Sequence, residues 1–200
     1  MTFLAMAAAI GGLAGCASSS SLSFTKEESA LINASGEVMR ILTVDSAKDL
    51  EVLRGSSRNL NVSDLNTPDY EALVRKMTQT LASTPRGVGL AAPQIGISRR
   101  VVAVKRVDKE GEPIEVYPNI FIQKTSGEKV PGQEGCLSAP DERGQVERYQ
   151  DITICYTDIN SDRMDQPRLI YEQVSGYAAV IFQHEVDHLD GVLFIDRIEH

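Results

Sequence analysis

The chain has 200 residues, 42% of them apolar and 24% charged, the make-up of one globular domain with enough material for a sizeable core. That excludes a disulfide-stapled mini-protein, a collagen-like repeat and a disordered chain. Twenty basic against twenty-eight acidic side chains leave a formal charge of −8, so the positive field of a nucleic-acid binder is missing and no direct nucleic-acid partner is expected.

In chain order, the first feature is an apolar run from Phe3 to Ala14, too short to span a bilayer and of the length of a secretory h-region. It ends at Leu13-Ala14-Gly15-Cys16, which resembles the lipobox of bacterial lipoproteins. Residues 1–16 therefore read as a signal segment and Cys16 as a lipid-anchor site, giving a membrane-anchored lipoprotein. No basic residue precedes the run, and the alternative is a cytoplasmic chain with an apolar appendage. Residues 17–35, Ser-rich at their start, are expected to form a flexible tether, and residues 36–200 one α+β domain without internal repeats.

Within that domain, Thr67-Pro68-Asp69 predicts a helix start: a hydroxyl N-cap, Pro at the first helical position and acidic residues in the first turn. Tyr70, Leu73, Val74, Met77 and Leu81 then form one apolar stripe for packing on a sheet. Arg100–Arg106, Ile114–Tyr117 and Asp151–Tyr156 are β-rich and bounded by turn residues. After Gly176 the pattern predicts a last helix, apolar almost all round, which places it centrally in the fold.

That helix carries His184-Glu185-Val186-Asp187-His188. Residues i and i+4 share a face, so two imidazoles can converge on one metal ion with Glu185 beside an open coordination position. The bland alternative is a pair of hydrogen-bonded core histidines. A catalytic site needs a third ligand. The downstream candidates are crowded into the last residues, and position 194, where a third His could fall, is Phe. An upstream ligand is expected, with Cys136 in Gln133–Pro140 the best candidate. Cys155 competes on paper but alternates within a strand as a core residue would. Gly87–Gly96 (GVGLAAPQIG) lacks a phosphate-loop ending and reads as a backbone wall for an extended peptide, with Gln94 turned into the site.

Taken together, GVGLAAPQ (87–94), EGCLS (134–138) and QHEVDH (183–188) resemble the three signature motifs of peptide deformylases, in that family's order. The resemblance implies an α+β fold with antiparallel or mixed sheets around the HExxH helix. It implies a divalent metal, Fe(II) with Zn(II), Ni(II) or Co(II) as substitutes, on Cys136, His184 and His188. The implied reaction is removal of the formyl group from N-formylmethionyl peptides or nascent chains, with release of formate. Glu185 would act as general base, and Gln94 and the Leu137 backbone N–H as oxyanion donors. Val88, Gly89, Gly135 and Arg143 would lie along the peptide, and Tyr177, Val180 and Ile181 at the methionine pocket. A monomer is expected. The competing readings are a metal-dependent peptidase and a non-catalytic, surface-tethered metal- or peptide-binding lipoprotein. Departures from the family pattern are Pro118-Asn119 in inverted order, a longer loop at Asp158–Gln166 and an early chain end after Asp196.

Overall fold

The computed structural model describes residues 23–159 and 168–198. The LAGC segment with Cys16, most of the Asp158–Gln166 loop and the final two residues lie outside the described residues.

The first helix, α1 (Lys26–Ile32), falls where a tether was expected, and that expectation is corrected for this stretch. A capping box starts it: the Thr25 hydroxyl accepts from the Glu28 N–H, and the Glu28 carboxylate accepts from the Thr25 N–H. Glu28 then holds the Arg99 guanidinium at 2.7 Å, with the arginine side chain fully buried and the carboxylate 8% exposed. Ser29 and Asn33 bond Asp69, so α1 is fastened to the start of α3 (Pro68–Ala82) as well. The segment is an integral part of the domain.

α2 (Ala47–Leu53) is capped by Ser46 and buries Leu53. α3 begins as its sequence predicts, with the Thr67 hydroxyl on the Tyr70 N–H and Pro68 in the first turn. Its stripe of Tyr70, Leu73, Met77 and Leu81 is buried against a three-stranded antiparallel sheet. That sheet is β1 (Gly89–Ala91), β2 (Val101–Lys105) and β3 (Ile114–Pro118). Alternation along β2 assigns its faces: Val101 and Ala103 belong to the α3 core, Val102 and Val104 to a second core. The second core is built on α4 (Tyr177–Leu189), the expected central helix, through Ala178, Ala179, Ile181, Phe182, Val186 and Leu189. Its far side is a second antiparallel sheet of β4 (Phe121–Cys136), β5 (Ala139–Thr157) and β6 (Leu169–Ser175).

β4 and β5 form a long hairpin closed by Leu137-Ser138, so Cys136 stands opposite Ala139 at its tip. The pairing shifts register between Glu134 and Cys136, and both side chains are buried while Gly135 between them is exposed. The inverted Pro118-Asn119 has a structural use. Asn119, at φ 54°, exchanges hydrogen bonds with the Leu60 backbone and donates to Thr157. Cys155 is buried in β5, as read from its alternation. No helix among the described residues is long and apolar enough to cross a membrane.

Removing one partner of a buried ion pair costs about 3–5 kcal/mol, against roughly 0–1 kcal/mol for an exposed pair. Glu28→Ala is therefore expected to destabilise the protein by about 3–5 kcal/mol, and Glu37→Ala, which breaks the exposed Arg75–Glu37 pair, by under ~1 kcal/mol. Urea denaturation measures both, and equal losses would show that α1 is not a structural member of the domain.

Candidate metal centre and active site

α4 sets His184 and His188 one turn apart, with ring centroids separated by 5.1 Å. Cys136, at the end of β4, brings its Sγ to 3.1 Å from His188 Nε2. One donor atom from each of the three residues lies within 4.8 Å of the others. Cys136 and His188 are buried, and His184 keeps 11% of its side chain exposed.

The surroundings fit a cation at this cluster. His184 Nδ1 is 2.9 Å from the Glu134 carboxylate, which leaves Nε2 as the nitrogen free to ligate. Burial drives the His188 pKa well below its ordinary value, helped by the positive character of His184 and Arg148, so this ring is held in the neutral, ligating form. Burial alone would raise Glu134, but its bonds to His184 and Arg148 outweigh that and lower it to about 2. Burial alone would lower His184, but its bonds to Cys136 and Glu134 outweigh that and raise it to about 10, so a cation taking Nε2 would displace a proton there. One sulfur and two imidazole nitrogens would then make a three-ligand set that leaves a fourth position open.

Glu134 belongs to the motif around Cys136 but carries no role that the sequence alone marks, and nothing in the sequence marks Arg148. Arg148 grips both Glu134 oxygens at 2.8 and 3.0 Å and also contacts Asp187. Asp187 in turn takes two bonds of 2.6 Å from Arg197. Glu134 was legible as a carboxylate two residues before the expected ligand. Arg148 reaches it only through the β4–β5 pairing, which has no local signature.

Gln94 sits in a short 3₁₀ turn (Ala92–Ile95) that follows β1. Its Oε1 accepts from the Ala91 N–H at 2.8 Å, which orients the carboxamide. The Nε2 donor is thereby turned toward Ser138 Oγ at 3.1 Å and Cys136 Sγ at 3.6 Å. Glu185 is 4% exposed and its Oε2 has no hydrogen-bond partner. Burial pushes its pKa up to about 7, with His184 pulling the other way and Glu134 adding to the rise. That is a proton acceptor poised near neutral pH.

These groups open onto one cavity of about 460 Å³. Val88, Gly89 and Gln94 line it from the β1 side, Gly135, Cys136, Leu137 and Arg143 from the hairpin tip, and Tyr177, Val180, Ile181, His184 and Glu185 from α4. Every residue named from the sequence for catalysis or peptide contact borders it, and of the three metal-ligand candidates only His188 sits behind its wall. Thr84, Pro85, Arg86, Gly87, Gln133, Glu134 and Pro140 complete the lining.

A three-donor metal cluster with an adjacent desolvated carboxylate and an oriented amide, at the floor of a peptide-sized cleft, defines a metal-dependent hydrolase. Comparison with known proteins agrees. The family model described as polypeptide deformylase matches residues 38–200. A peptide deformylase of Leptospira biflexa is 37% identical over 155 residues, covering 74% of this chain and 83% of that protein. One from Desulforudis audaxviator is 43% identical over 131 residues, covering 66% and 79% respectively. The Met-Ala-Ser-bound crystal structure of a class I type b peptide deformylase from Acinetobacter baumannii superposes with a TM-score of 0.67 at 34% identity, covering 80% of this chain and 98% of the other. The chain belongs to the polypeptide deformylase family, metal-dependent hydrolases that remove the formyl group from the N-terminus of peptides.

Gly89 has a reason beyond a peptide wall. A Cβ there would meet Glu185 Oε1 at 2.2 Å, so only a glycine lets the carboxylate reach the cavity where it stands. Gly89→Ala should displace Glu185 and lower kcat about 10²-fold with bound metal unchanged. Metal analysis beside steady-state kinetics checks this, and an unimpaired kcat would separate Glu185 placement from the reaction.

Proposed function

We propose that this chain hydrolyses the formyl amide of N-formylmethionyl peptides with Cys136, His184 and His188 holding one divalent cation. The observation that carries this is the convergence of those three donors, the desolvated Glu185 carboxylate and the oriented Gln94 carboxamide on one cavity. The cation assigned is Fe(II), on the family resemblance, with Zn(II) in its place if the chain is exported, because an oxidising compartment threatens a ferrous thiolate site. When bound it would supply Lewis acidity toward the formyl carbonyl and acidify water beside Glu185.

The protein's own groups do the rest. Glu185 takes a proton from the attacking water and returns it to the departing amine. A pKa near neutrality suits both halves of that task. The Gln94 Nε2–H and the Leu137 backbone N–H donate to the oxygen that becomes negative as the tetrahedral centre forms. Tyr177, Val180 and Ile181, seven, four and three residues before His184, take the methionine side chain. Val88, Gly89, Gly135 and Arg143 lie along the rest of the peptide. A peptide substrate fits the Met-Ala-Ser complex of the Acinetobacter baumannii relative. The site's donors and lining are complete within one chain, so the reaction as proposed calls for no residue from a second copy.

Glu185→Gln is expected to cut formate release from a formyl-Met peptide by about 10²–10⁴-fold, and an active variant would remove Glu185 from its role. The same substitution should stabilise the protein above neutral pH. A folded-state carboxyl pKa raised from 4.5 to about 7 means stability is full below 4.5 and is lost as pH rises through 7. Gln carries no such loss, so the gap in Tm between variant and parent should widen from pH 5 to pH 8.

For location we propose lipid anchoring at Cys16 and export. The support is the LAGC match behind an apolar run, and the cytoplasmic reading is its rival. Radiolabelled palmitate incorporated by the full chain and lost in Cys16→Ser would support the anchor, and no label in either would favour the cytoplasm.

A further inference from the structure

In this acidic chain, arginines are matched to carboxylates almost everywhere. Arg40, Arg54, Arg75, Arg99, Arg100, Arg106, Arg148, Arg168 and Arg197 each face an aspartate or glutamate within 4.0 Å. Among the described residues the exceptions are Arg58, Arg86 and Arg143, all exposed. Arg58 lies elsewhere, but Arg86 and Arg143 both line the active-site cavity.

Their setting is shaped for them. The Arg143 guanidinium lies on the backbone of Gly135, where a Cβ would come within 2.7 Å of Cζ, Nε and Nη1. Its Nη1 donates to the Pro140 carbonyl at 3.1 Å and to the Glu142 carbonyl. Its remaining donors have no partner among the described residues. Arg86 lines the same cavity and directly precedes the Gly87–Gln94 segment. The carboxylates in the cavity wall are Glu134 and Glu185, both buried, and Glu134 is already held by Arg148 and His184. Asp141 and Glu142, next to Arg143 in sequence, are exposed and do not line the cavity. The mouth of the cleft is thus cationic on a chain of formal charge −8, an arrangement that draws anions to that one place.

We propose that Arg86 and Arg143 form an anion-reading rim that selects formylated peptides bearing a carboxylate downstream of the methionine, as a free C-terminus or an acidic side chain. This rests on the deformylase reading of the same site and adds a substrate class to it. Uncompensated guanidinium groups at the rim gain a partner only when such a peptide binds, and planar forks suit carboxylates. The effect belongs to binding, so it should appear in KM with kcat little changed.

The test uses the metal-loaded protein with formyl-Met-Ala-Ser, its C-terminal amide, formyl-Met-Ala-Asp-amide and formyl-Met-Ala-Lys-amide. The free acid and the Asp peptide should exceed the neutral amide in kcat/KM at low salt by about two- to fivefold for each arginine, with the advantage shrinking above ~0.15 M salt. The Lys peptide should fall below the neutral amide. A gain for the free acid alone assigns the rim to chain ends, and a gain for both anionic peptides to any carboxylate. Arg86→Gln and Arg143→Gln should each reduce the acid-to-amide ratio, Arg86→Glu with Arg143→Glu should invert it, and Arg58→Gln should leave it alone. Calorimetric binding of Met-Ala-Ser against its amide reads the same preference without turnover. Equal kcat/KM and equal product affinity for acid and amide would overturn the rim while formate release upholds the hydrolase. Product bound through its carboxylate with no formate from any peptide would do the reverse.

Discussion

The structure depends on burying one helix that cannot be wholly apolar. α4 fills the space between the two sheets, and Ala178, Ala179, Phe182 and Leu189 give it an almost solvent-free surround. Yet the same helix carries two imidazoles and two carboxylates within five residues. Each of these would be costly in that environment unless neutralised or paired. His188 meets the demand by staying neutral beside Cys136, and His184 by presenting Nδ1 to Glu134. Glu185 is the exception. Its Oε2 is left without a partner, which raises its proton affinity and supplies the base that amide hydrolysis requires.

Behind the cluster, charge is arranged in series. Arg197 holds Asp187, Asp187 and Glu134 hold Arg148, and Glu134 holds His184. The members come from the C-terminal segment, α4, β5 and β4, so alignment of one imidazole is coupled to the docking of four parts of the chain. Phe194 adds to this by stacking on the His184 ring at 5.9 Å. The position that Phe194 denies to a third histidine thus still serves the centre, by packing.

What the sequence made legible divides by range of interaction. α3 and α4 were readable because caps and apolar periodicity are local, and the two histidines because i and i+4 on a helix share a face by geometry alone. β2, β3 and the end of β5 were readable from β-branched runs. β4 was not, because it is largely exposed and polar, and its strand state comes from pairing with β5. Arg148 was invisible for the same reason: its partner lies across that pairing. α1 had a readable start in Thr25-Lys26-Glu27-Glu28, but seven helical residues carry too little periodicity to stand out, and Arg99, the residue that secures them, lies 71 positions away.

The docking of α1 also changes what an anchor at Cys16 would mean. α1 precedes the region matched by the family model, which starts at residue 38, so it is an addition to the catalytic body. A tether running to residue 35 would let the domain range about 70 Å from a membrane-bound Cys16, at roughly 3.5 Å per extended residue. With Glu28 locked on Arg99 and the Ser23 carbonyl on the same guanidinium, the docked chain begins by residue 23, and the seven residues from Cys16 to there can span no more than about 25 Å. Under the proposed anchoring, the catalytic body stays within about its own diameter of the bilayer. The buried Arg99–Glu28 pair then sets working distance as well as stability.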